Sequence, residues 1–145
     1  MITVKDILDQ KGHKAWTITP EAKVFDALEL MAKKGVGALV VIEKDEVVGI
    51  ISERDYARKI ILMGRQSHDT AVREIMTKEV YGVRHETTAD ECMALMTDKH
   101  IRHLPVCKDG KLAGVISIGD VVKAIMTEQK VTIENLENYI MGKYQ

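Results

Sequence analysis

The stretch Gly114-Val-Ile-Ser-Ile-Gly-Asp120 decides the fold, because the similar stretch Gly49-Ile-Ile-Ser-Glu-Arg-Asp55 precedes it in the same chain. In each stretch apolar residues lead into a serine, and an aspartate follows three positions later. This pattern is typical of a β-strand that turns into the N-terminus of a helix. Free backbone N–H groups and the positive end of the helix dipole meet at such a junction, which favours binding of a phosphate or a ribose.

The similarity extends over most of the chain, since residues 16–61 align with residues 81–126 without a gap. A shorter motif precedes each copy at a slightly larger offset, Val4-Lys-Asp-Ile-Leu8 and Val72-Arg-Glu-Ile-Met76. Chance does not place so many matches in one register, so the chain contains an internal duplication. The identical pairs are Glu21/Glu86, Leu30/Leu95, Met31/Met96, Lys34/Lys99, Leu39/Leu104, Val41/Val106, Gly49/Gly114, Ile51/Ile116, Ser52/Ser117, Asp55/Asp120 and Ile60/Ile125.

Bulk properties of the 145-residue chain disfavour several classes of protein. The net charge is −1 and acidic and basic residues are interspersed, so no basic field favours nucleic acid and no polybasic segment favours a membrane. No apolar run approaches the roughly 20 residues of a spanning helix, and the first residues lack the apolar core of a signal peptide. We therefore expect a cytoplasmic protein with one domain or two closely packed halves.

Cysteines and histidines form no metal or redox motif in the sequence. Cys92 and Cys107 are isolated and belong to no C-x-x-C motif, so we interpret both as small buried hydrophobic residues. The five histidines show no H-E-x-x-H or H-x-x-E-H spacing, so no metal site is expected.

Helix signals are clear in the first copy. Thr3 followed by Asp6 predicts a capped helix that ends near Gly12. Thr19-Pro20 predicts the start of the next helix, because threonine is a favoured N-cap and proline fits the first helical position. Apolar residues at helical spacing follow, and Gly35 predicts the end of this helix.

Both copies are predicted to have the element order β-α-β-β-α. In the second copy Thr87 or Thr88 is the candidate N-cap, and Gly110 is expected in the hairpin turn. The tail from Thr127 onward has apolar residues at helical spacing and predicts a further amphipathic helix. The predicted strands cover residues 14–19, 38–42, 47–51, 103–107 and 112–117, and another helix is predicted from Ser52 to Gly64.

A doubled β-α-β-β-α unit, in which a glycine, two apolar residues, a serine and then an aspartate close each hairpin, resembles the CBS domain. The resemblance covers nearly the whole chain, which is similar to the small stand-alone members. It implies a mixed α/β (α+β) fold of two repeats packed as a Bateman module, with short N-terminal and C-terminal helices. We assign residues 1–69 to the first repeat and its N-terminal helix, residues 70–127 to the second, and residues 128–145 to a helical tail.

The resemblance also implies two clefts between the repeats that bind adenosine-containing ligands. AMP, ADP, ATP and NAD are the candidate ligands, and S-adenosylmethionine is less favoured. It further implies an unidentified protein partner that is regulated in trans. The apolar helical faces exceed what two small hairpins cover, so we also expect a homodimer formed through helices.

Carried over to this sequence, the family pattern assigns a ribose site and a base site to each cleft. Asp55 and Asp120 are the predicted ribose acceptors, assisted by Ser52 and Ser117, because a carboxylate offers only acceptors to hydroxyl donors. The cleft with Asp120 is predicted to hold the base against His13, Lys14, Ala15, Val36, Gly37 and Ala38, and the cleft with Asp55 against Thr77, Val80 and Ile101.

The residues predicted to contact phosphate are assigned to the cleft with Asp55. Arg102 and His103 match family positions that contact phosphate, and Arg54 and Arg58 would add charge there. The first repeat has Gly37-Ala38 at the positions of Arg102-His103, so we expect two unequal sites.

Simpler interpretations remain open. Ser-x-x-Asp is also the pattern of an ordinary capping box, in which serine and aspartate satisfy the first N–H groups of a helix. Arg102 and His103 also fit a solvent-exposed hairpin. The functional alternatives are therefore a regulatory sensor of energy state or redox cofactor, and a ligand-independent interaction or dimerisation module with degenerate clefts.

No catalytic motif is present in the sequence. It contains neither a G-x-x-x-x-G-K-[ST] phosphate loop nor a G-x-S-x-G nucleophile elbow. We therefore expect a protein without enzymatic activity, which would recognise even a dinucleotide through its adenosine half without turnover.

Overall fold

A computed structural model describes residues 1–141. It contains two copies of the predicted plan, each preceded by a short helix, and α3 continues directly into a π-helical stretch. The elements are α1 (Val4–Lys11), β1 (Thr17–Ile18), α2 (Val24–Lys34), β2 (Ala38–Glu43), β3 (Glu46–Ser52), α3 (Glu53–Tyr56) with its π-helical stretch (Ala57–Ile61), α4 (Val72–Ile75), α5 (Ala89–Lys99), β4 (His103–Lys108), β5 (Lys111–Ser117) and α6 (Ile118–Ile140).

Each repeat is built on a small sheet. In the first, β1 pairs in parallel with β2, and β2 pairs antiparallel with β3. In the second, β4 and β5 form the hairpin, and a parallel bridge between Val83 and Val106 matches the pairing of Ile18 with Val41. Both hairpins are as predicted, but the entering strand is shorter than predicted, because only Thr17–Ile18 pairs with β2.

The start of α2 differs from the prediction that Thr19 is its N-cap. The helix begins at Val24, and no side chain caps it. Residues 20–23 are held instead by hydrogen bonds to the chain around α4. The first two N–H groups of α2 donate to the carbonyls of Thr70 and Ser67. These long-range hydrogen bonds therefore prevent the helix from starting at Thr19-Pro20, where the local sequence favours it.

Other helix boundaries agree with the prediction. Thr3 accepts the Asp6 N–H and caps α1, and Thr88 accepts the Glu91 N–H at the start of α5. Gly35 ends α2 with a φ of 66°, in the left-handed region that favours glycine.

The short helices before the repeats are exchanged between the two cores. Leu8 of α1 is fully buried in the core of the second repeat, with Leu104 and Ile116. Val72 and Ile75 of α4 are buried in the core of the first repeat. Hydrogen bonds join the same parts, α1 to the segment before α5 and α4 to the segment before α2. Each core is therefore completed by a helix that lies next to the other repeat in sequence.

The helix of the second repeat and the predicted tail form one element. α6 runs without a break across Thr127, because no glycine or proline interrupts residues 120–141. The last predicted tail residues, 142–145, lie outside the described residues. Of the helices described in residues 1–141, none combines the length and apolar character needed to cross a membrane.

Candidate functional site: two clefts between the repeats

Two clefts lie between the repeats, each at one of the strand–helix junctions. The first cleft is a cavity of about 710 Å³ that contains Ser117 and Asp120, and the second is one of about 520 Å³ that contains Ser52 and Asp55. All residues predicted at the bases line the expected clefts: His13, Lys14, Ala15, Val36, Gly37 and Ala38 in the first, and Thr77, Val80 and Ile101 in the second.

Asp55 is the carboxylate of the second cleft, and its side chain is only 12% exposed. Oδ2 accepts from the N–H and the hydroxyl of Ser52 at 3.0 and 3.1 Å, which completes a capping box. Oδ1 accepts a hydrogen bond from the Thr77 hydroxyl at 3.2 Å and forms an ion pair with Lys59 Nζ at the same distance. A ribose hydroxyl at Asp55 has to share these oxygens with the existing donors.

Asp120, in the first cleft, has a different set of partners. Oδ2 accepts from the Ser117 N–H at 2.8 Å and lies 2.6 Å from Lys11 Nζ, whereas Oδ1 has no hydrogen bond among the described residues. Partial burial raises the pKa of Asp120, but hydrogen bonds from Lys11 and Ser117 and the charge of Lys11 lower it more. The carboxyl group is therefore ionised at neutral pH and keeps one oxygen available for a further donor.

Arg102, His103 and Gly37 form the wall shared by the clefts, since each lines both cavities. The sequence assigned Arg102 and His103 to the second cleft; in the structure they line that cleft and the first cleft as well. Burial is the largest cause that lowers the pKa of His103 below 6.5, and the charges of Lys11 and Arg102 add to it against the opposing effect of Asp120. His103 is therefore neutral at pH 7, where it offers a phosphate a hydrogen bond but no charge.

Arg54 and Arg58 lie on α3 and its π-helical stretch, and both line the second cleft. Arg54 Nη1 donates to the His100 carbonyl at 3.1 Å. This bond joins the first repeat to the end of α5 across the cleft. Arg58 has no ion pair within residues 1–141, so its charge is available to an anion.

An aromatic ring lines each cleft, and neither ring was predicted from the sequence. Trp16 lies in the first cleft with Lys34 Nζ 4.2 Å from its ring centre, and Tyr81 lies in the second with Lys99 Nζ at 5.3 Å. The two pairs occupy matching positions in the alignment of the repeats. This internal match was the signal that could have found them. Each ring offers a flat surface against which a base can pack.

Lys11 and Lys59, which neutralise Asp120 and Asp55, were also missed. Lys59 comes from the same helical segment as its aspartate, whereas Lys11 comes from α1. The two lysines do not align in the repeat, so no sequence pattern marks them as a pair.

The cysteines lie outside both clefts. Cys92 is buried, and burial raises its pKa to about 11, so it carries no reactive thiolate at neutral pH. Cys107 is partly exposed, and burial raises its pKa as well. Within the described part of the chain, His, Cys, Asp and Glu side chains form no group of three that could hold a metal ion.

The family model for the CBS domain matches residues 4–62 and 72–127. The chain belongs to the CBS domain family. A relative from Arabidopsis thaliana, the mitochondrial CBS domain-containing protein CBSX3, is 44% identical over 152 residues, which cover 98% of this chain and 73% of the relative. The predicted pair of CBS repeats is therefore confirmed.

Solved structures of CBS proteins share the fold. A protein with CBS domains from Burkholderia ambifaria MC40-6 is 51% identical with a TM-score of 0.84, over 88% of this chain and 96% of that one. The CBS domain pair of protein MJ0100, solved with 5′-methylthioadenosine and S-adenosyl-L-methionine, is 22% identical with a TM-score of 0.78, over 88% and 98% of the chains. At 22% identity the likeness concerns the fold alone. These similarities confirm the Bateman-module architecture.

Proposed function

We propose that this CBS protein is a regulatory module that binds an adenine nucleotide in the clefts between its repeats and signals to a partner protein. The observation that carries the proposal is the combination, in each cleft, of a junction carboxylate, an aromatic ring and cationic side chains. A nucleotide has three complementary parts: hydroxyl donors, a flat base and anionic phosphate. The candidates are AMP, ADP, ATP and NAD, so the signal would report energy state or a redox cofactor.

The charge of the clefts favours phosphate-bearing ligands. Lys11 and Lys14 line the first cleft, Arg54 and Arg58 line the second, and Arg102 lines both. S-adenosylmethionine is less favoured, because its sulfonium group is positively charged and would be repelled by these side chains. The CBS domain pair of protein MJ0100 was solved with that ligand, but at 22% identity its likeness to this chain concerns the fold alone.

The signal would arise from the position of the clefts between the repeats. β3 and β5 pack against each other there, and the bond from Arg54 to the His100 carbonyl crosses from one repeat to the other. A ligand that touches both repeats favours one relative arrangement, and so one surface presented to the partner. The protein would act without turnover of its ligand. A cytoplasmic location stays a prediction.

A homodimer is the proposed assembly. The outer side of α6 exposes apolar side chains at helical spacing, and Leu62 and Met63 after α3 are exposed as well. A surface of this kind favours a helix-mediated contact between two copies. Light scattering at micromolar concentration is expected to give twice the chain mass, and the mass of a monomer would contradict this assembly. The exposed α6 side chains include Val122, Met126, Ile133, Leu136 and Ile140.

One observation favours the alternative, a ligand-independent interaction module. Both junction aspartates belong to complete capping boxes, and each contacts a lysine. Their present contacts would therefore explain them without any ligand.

Calorimetric titration of adenosine and AMP into the wild-type protein, Asp55→Asn and Asp120→Asn separates the two functions. If a carboxylate holds ribose, its replacement by an amide weakens binding at that cleft by about 1.5–3 kcal/mol, or roughly ten- to a hundredfold. Asp6→Asn is the matched control, because Asp6 forms the same capping box with Thr3 outside both clefts. Asp6→Asn is expected to lower stability slightly, through the weakened cap, and to leave both affinities unchanged.

Arg102→Ala tests the phosphate contact. Because Arg102 lines both clefts, its loss should weaken AMP binding throughout and leave adenosine nearly unchanged, since adenosine has no phosphate. Equal affinities in wild type, Asp55→Asn, Asp120→Asn and Arg102→Ala would contradict nucleotide sensing and favour the interaction module.

A further inference from the structure

Lys11 engages the carboxylate on which the proposed first site depends. Its Nζ lies 2.6 Å from Asp120 Oδ2 and donates to the Val115 carbonyl at 2.9 Å. Lys11 ends α1, so it reaches the β5–α6 junction from a separate element. Within the described chain Oδ1 is open to one ribose hydroxyl, but a ribose that uses both of its neighbouring hydroxyls also needs Oδ2, where it has to compete with a charged donor.

The second cleft is organised differently. The aligned carbonyl, that of Ile50, accepts the Thr77 N–H at 2.8 Å, and the Thr77 hydroxyl donates to Asp55 Oδ1 at 3.2 Å. In the second cleft the N–H and the hydroxyl of Thr77 thus bind the carbonyl and the aspartate. In the first cleft the Lys11 ammonium alone binds both of the matching groups. Lys59 also pairs with Asp55, but from four positions later in the same helical segment and at the longer distance of 3.2 Å.

The charge balance of the first cleft decides what happens when Lys11 leaves Asp120. Lys11, Lys14 and Arg102 line this cleft, and Asp120 is the only carboxylate among its lining residues in the described chain. A neutral nucleoside that takes over Asp120 leaves the Lys11 ammonium beside two other cations. A phosphate-bearing ligand brings a new anion, with which the displaced ammonium can pair.

We propose that Lys11 is a specificity-determining residue of the first cleft, which selects nucleotides over nucleosides by competing for Asp120. The inference rests on the proposed function, because it requires a ribose at Asp120. The side chain of Lys11 is 36% exposed, so it can move into the cleft without disturbing the core.

The test uses the full chain with Asp55→Asn, so that binding reports the first cleft. Lys11→Met removes the charge and keeps the length of the side chain. It is expected to raise adenosine affinity about two- to fivefold, the range for loss of an exposed ion pair. It should lower AMP affinity about five- to tenfold through loss of a charge-assisted contact. Both affinities are measured by calorimetry.

Two further variants distinguish competition between Lys11 and the ribose for Asp120 from a general attraction of the phosphate by the cations of the cleft. Lys14→Met removes a cation that lines the same cleft and has no contact with Asp120, so it should lower AMP affinity without the gain in adenosine affinity expected for Lys11→Met. Lys11→Arg should preserve the preference for AMP.

The outcomes separate the two proposals. If the parent protein binds both ligands and Lys11→Met leaves adenosine affinity unchanged or reduced, this inference is overturned and the proposed function stands. If the parent and the wild-type protein bind neither ligand, the proposed function is overturned together with this inference.

Discussion

The two strand–helix junctions contain the same serine and aspartate, but their surroundings differ. At Asp55 both carboxylate oxygens accept hydrogen bonds, from Ser52 and Thr77, and Lys59 forms an ion pair with Oδ1. At Asp120 only Oδ2 does so within the described chain, and its charged partner comes from α1. The difference teaches that the duplicated motif determines the helix cap, whereas neighbouring segments determine how much of the carboxylate remains for a ligand.

The helices that leave these junctions also diverge. In the first repeat α3 passes into the π-helical stretch and the chain turns at Gly64, with a φ of 68°. In the second repeat α6 continues for 23 residues and exposes its apolar outer side. The duplicated sequence thus ends in a short helical segment and a turn in the first repeat, and in a long helix with an exposed apolar side in the second.

The largest effect is expected from Leu8→Ala, which tests the exchange of the leading helices. Leu8 is fully buried in the core of the second repeat, so its truncation should destabilise the protein by about 2–5 kcal/mol in urea unfolding. Hydrogen exchange should accelerate in β4 and β5 more than in β2 and β3. Lys5→Ala, on the exposed side of the same helix, is the control and should hardly change the unfolding midpoint. Equal acceleration in both sheets would contradict the separate assignment of α1 to the second core.

Gly49→Ala should destabilise more than Gly114→Ala, although the two glycines are aligned. A Cβ on Gly49 would lie 2.7 Å from Met76 Sδ and 3.0 Å from the Thr77 carbonyl oxygen, which is backbone and cannot move aside. The three atoms nearest to a Cβ on Gly114 all belong to the Leu8 side chain, the closest at 2.9 Å. We expect a loss of about 1–3 kcal/mol for Gly49→Ala and a smaller one for Gly114→Ala, measured by urea unfolding.

Gly82→Ala is the control for these substitutions. A Cβ on Gly82 would lie 3.6 Å or more from the nearest atoms, so the unfolding midpoint of the Gly82→Ala protein should hardly differ from that of the wild type. If Gly114→Ala proved the more destabilising of the pair, the contrast between backbone and side-chain neighbours would be wrong.

The smallest effect concerns pH and the Lys11–Asp120 pair. The pKa of Asp120 lies below its ordinary value of 3.8 in the folded protein. The ionised carboxylate therefore stabilises the fold above that value, and the contribution is lost as the pH falls through the lowered one. Asp120→Asn should reduce stability by about 0.5–1 kcal/mol near neutral pH and by much less near pH 3.

Urea midpoints across this pH range provide the measurement. Asp109→Asn is the control, because Asp109 is exposed in the β4–β5 turn and asparagine also tolerates its positive φ of 53°. A difference between wild type and Asp120→Asn that persists unchanged at low pH would show that the charge of Asp120 does not contribute.

Most of the fold was predictable from the sequence, because the repeat supplies each local signal twice. Apolar alternation, the turn at Gly110 and the Ser-x-x-Asp caps act within a few residues, so they were visible in the chain. The prediction that Thr19 caps α2 was wrong, because residues 20–23 form hydrogen bonds with the chain around α4 and are not helical. The residues assigned to each cleft lie together there, but their roles toward a ligand stay predictions.

What the sequence determined by itself was the duplication, the order of elements and the family, since these depend on short-range patterns and their repetition. Only the tertiary structure decided that α1 completes the second core and α4 the first. It also decided that Lys11 pairs with Asp120 and that Arg102 and His103 face both clefts. These contacts join residues far apart in the chain, and no local preference specifies them. They form because apolar helix faces must be buried and a partly buried carboxylate needs a counter-charge.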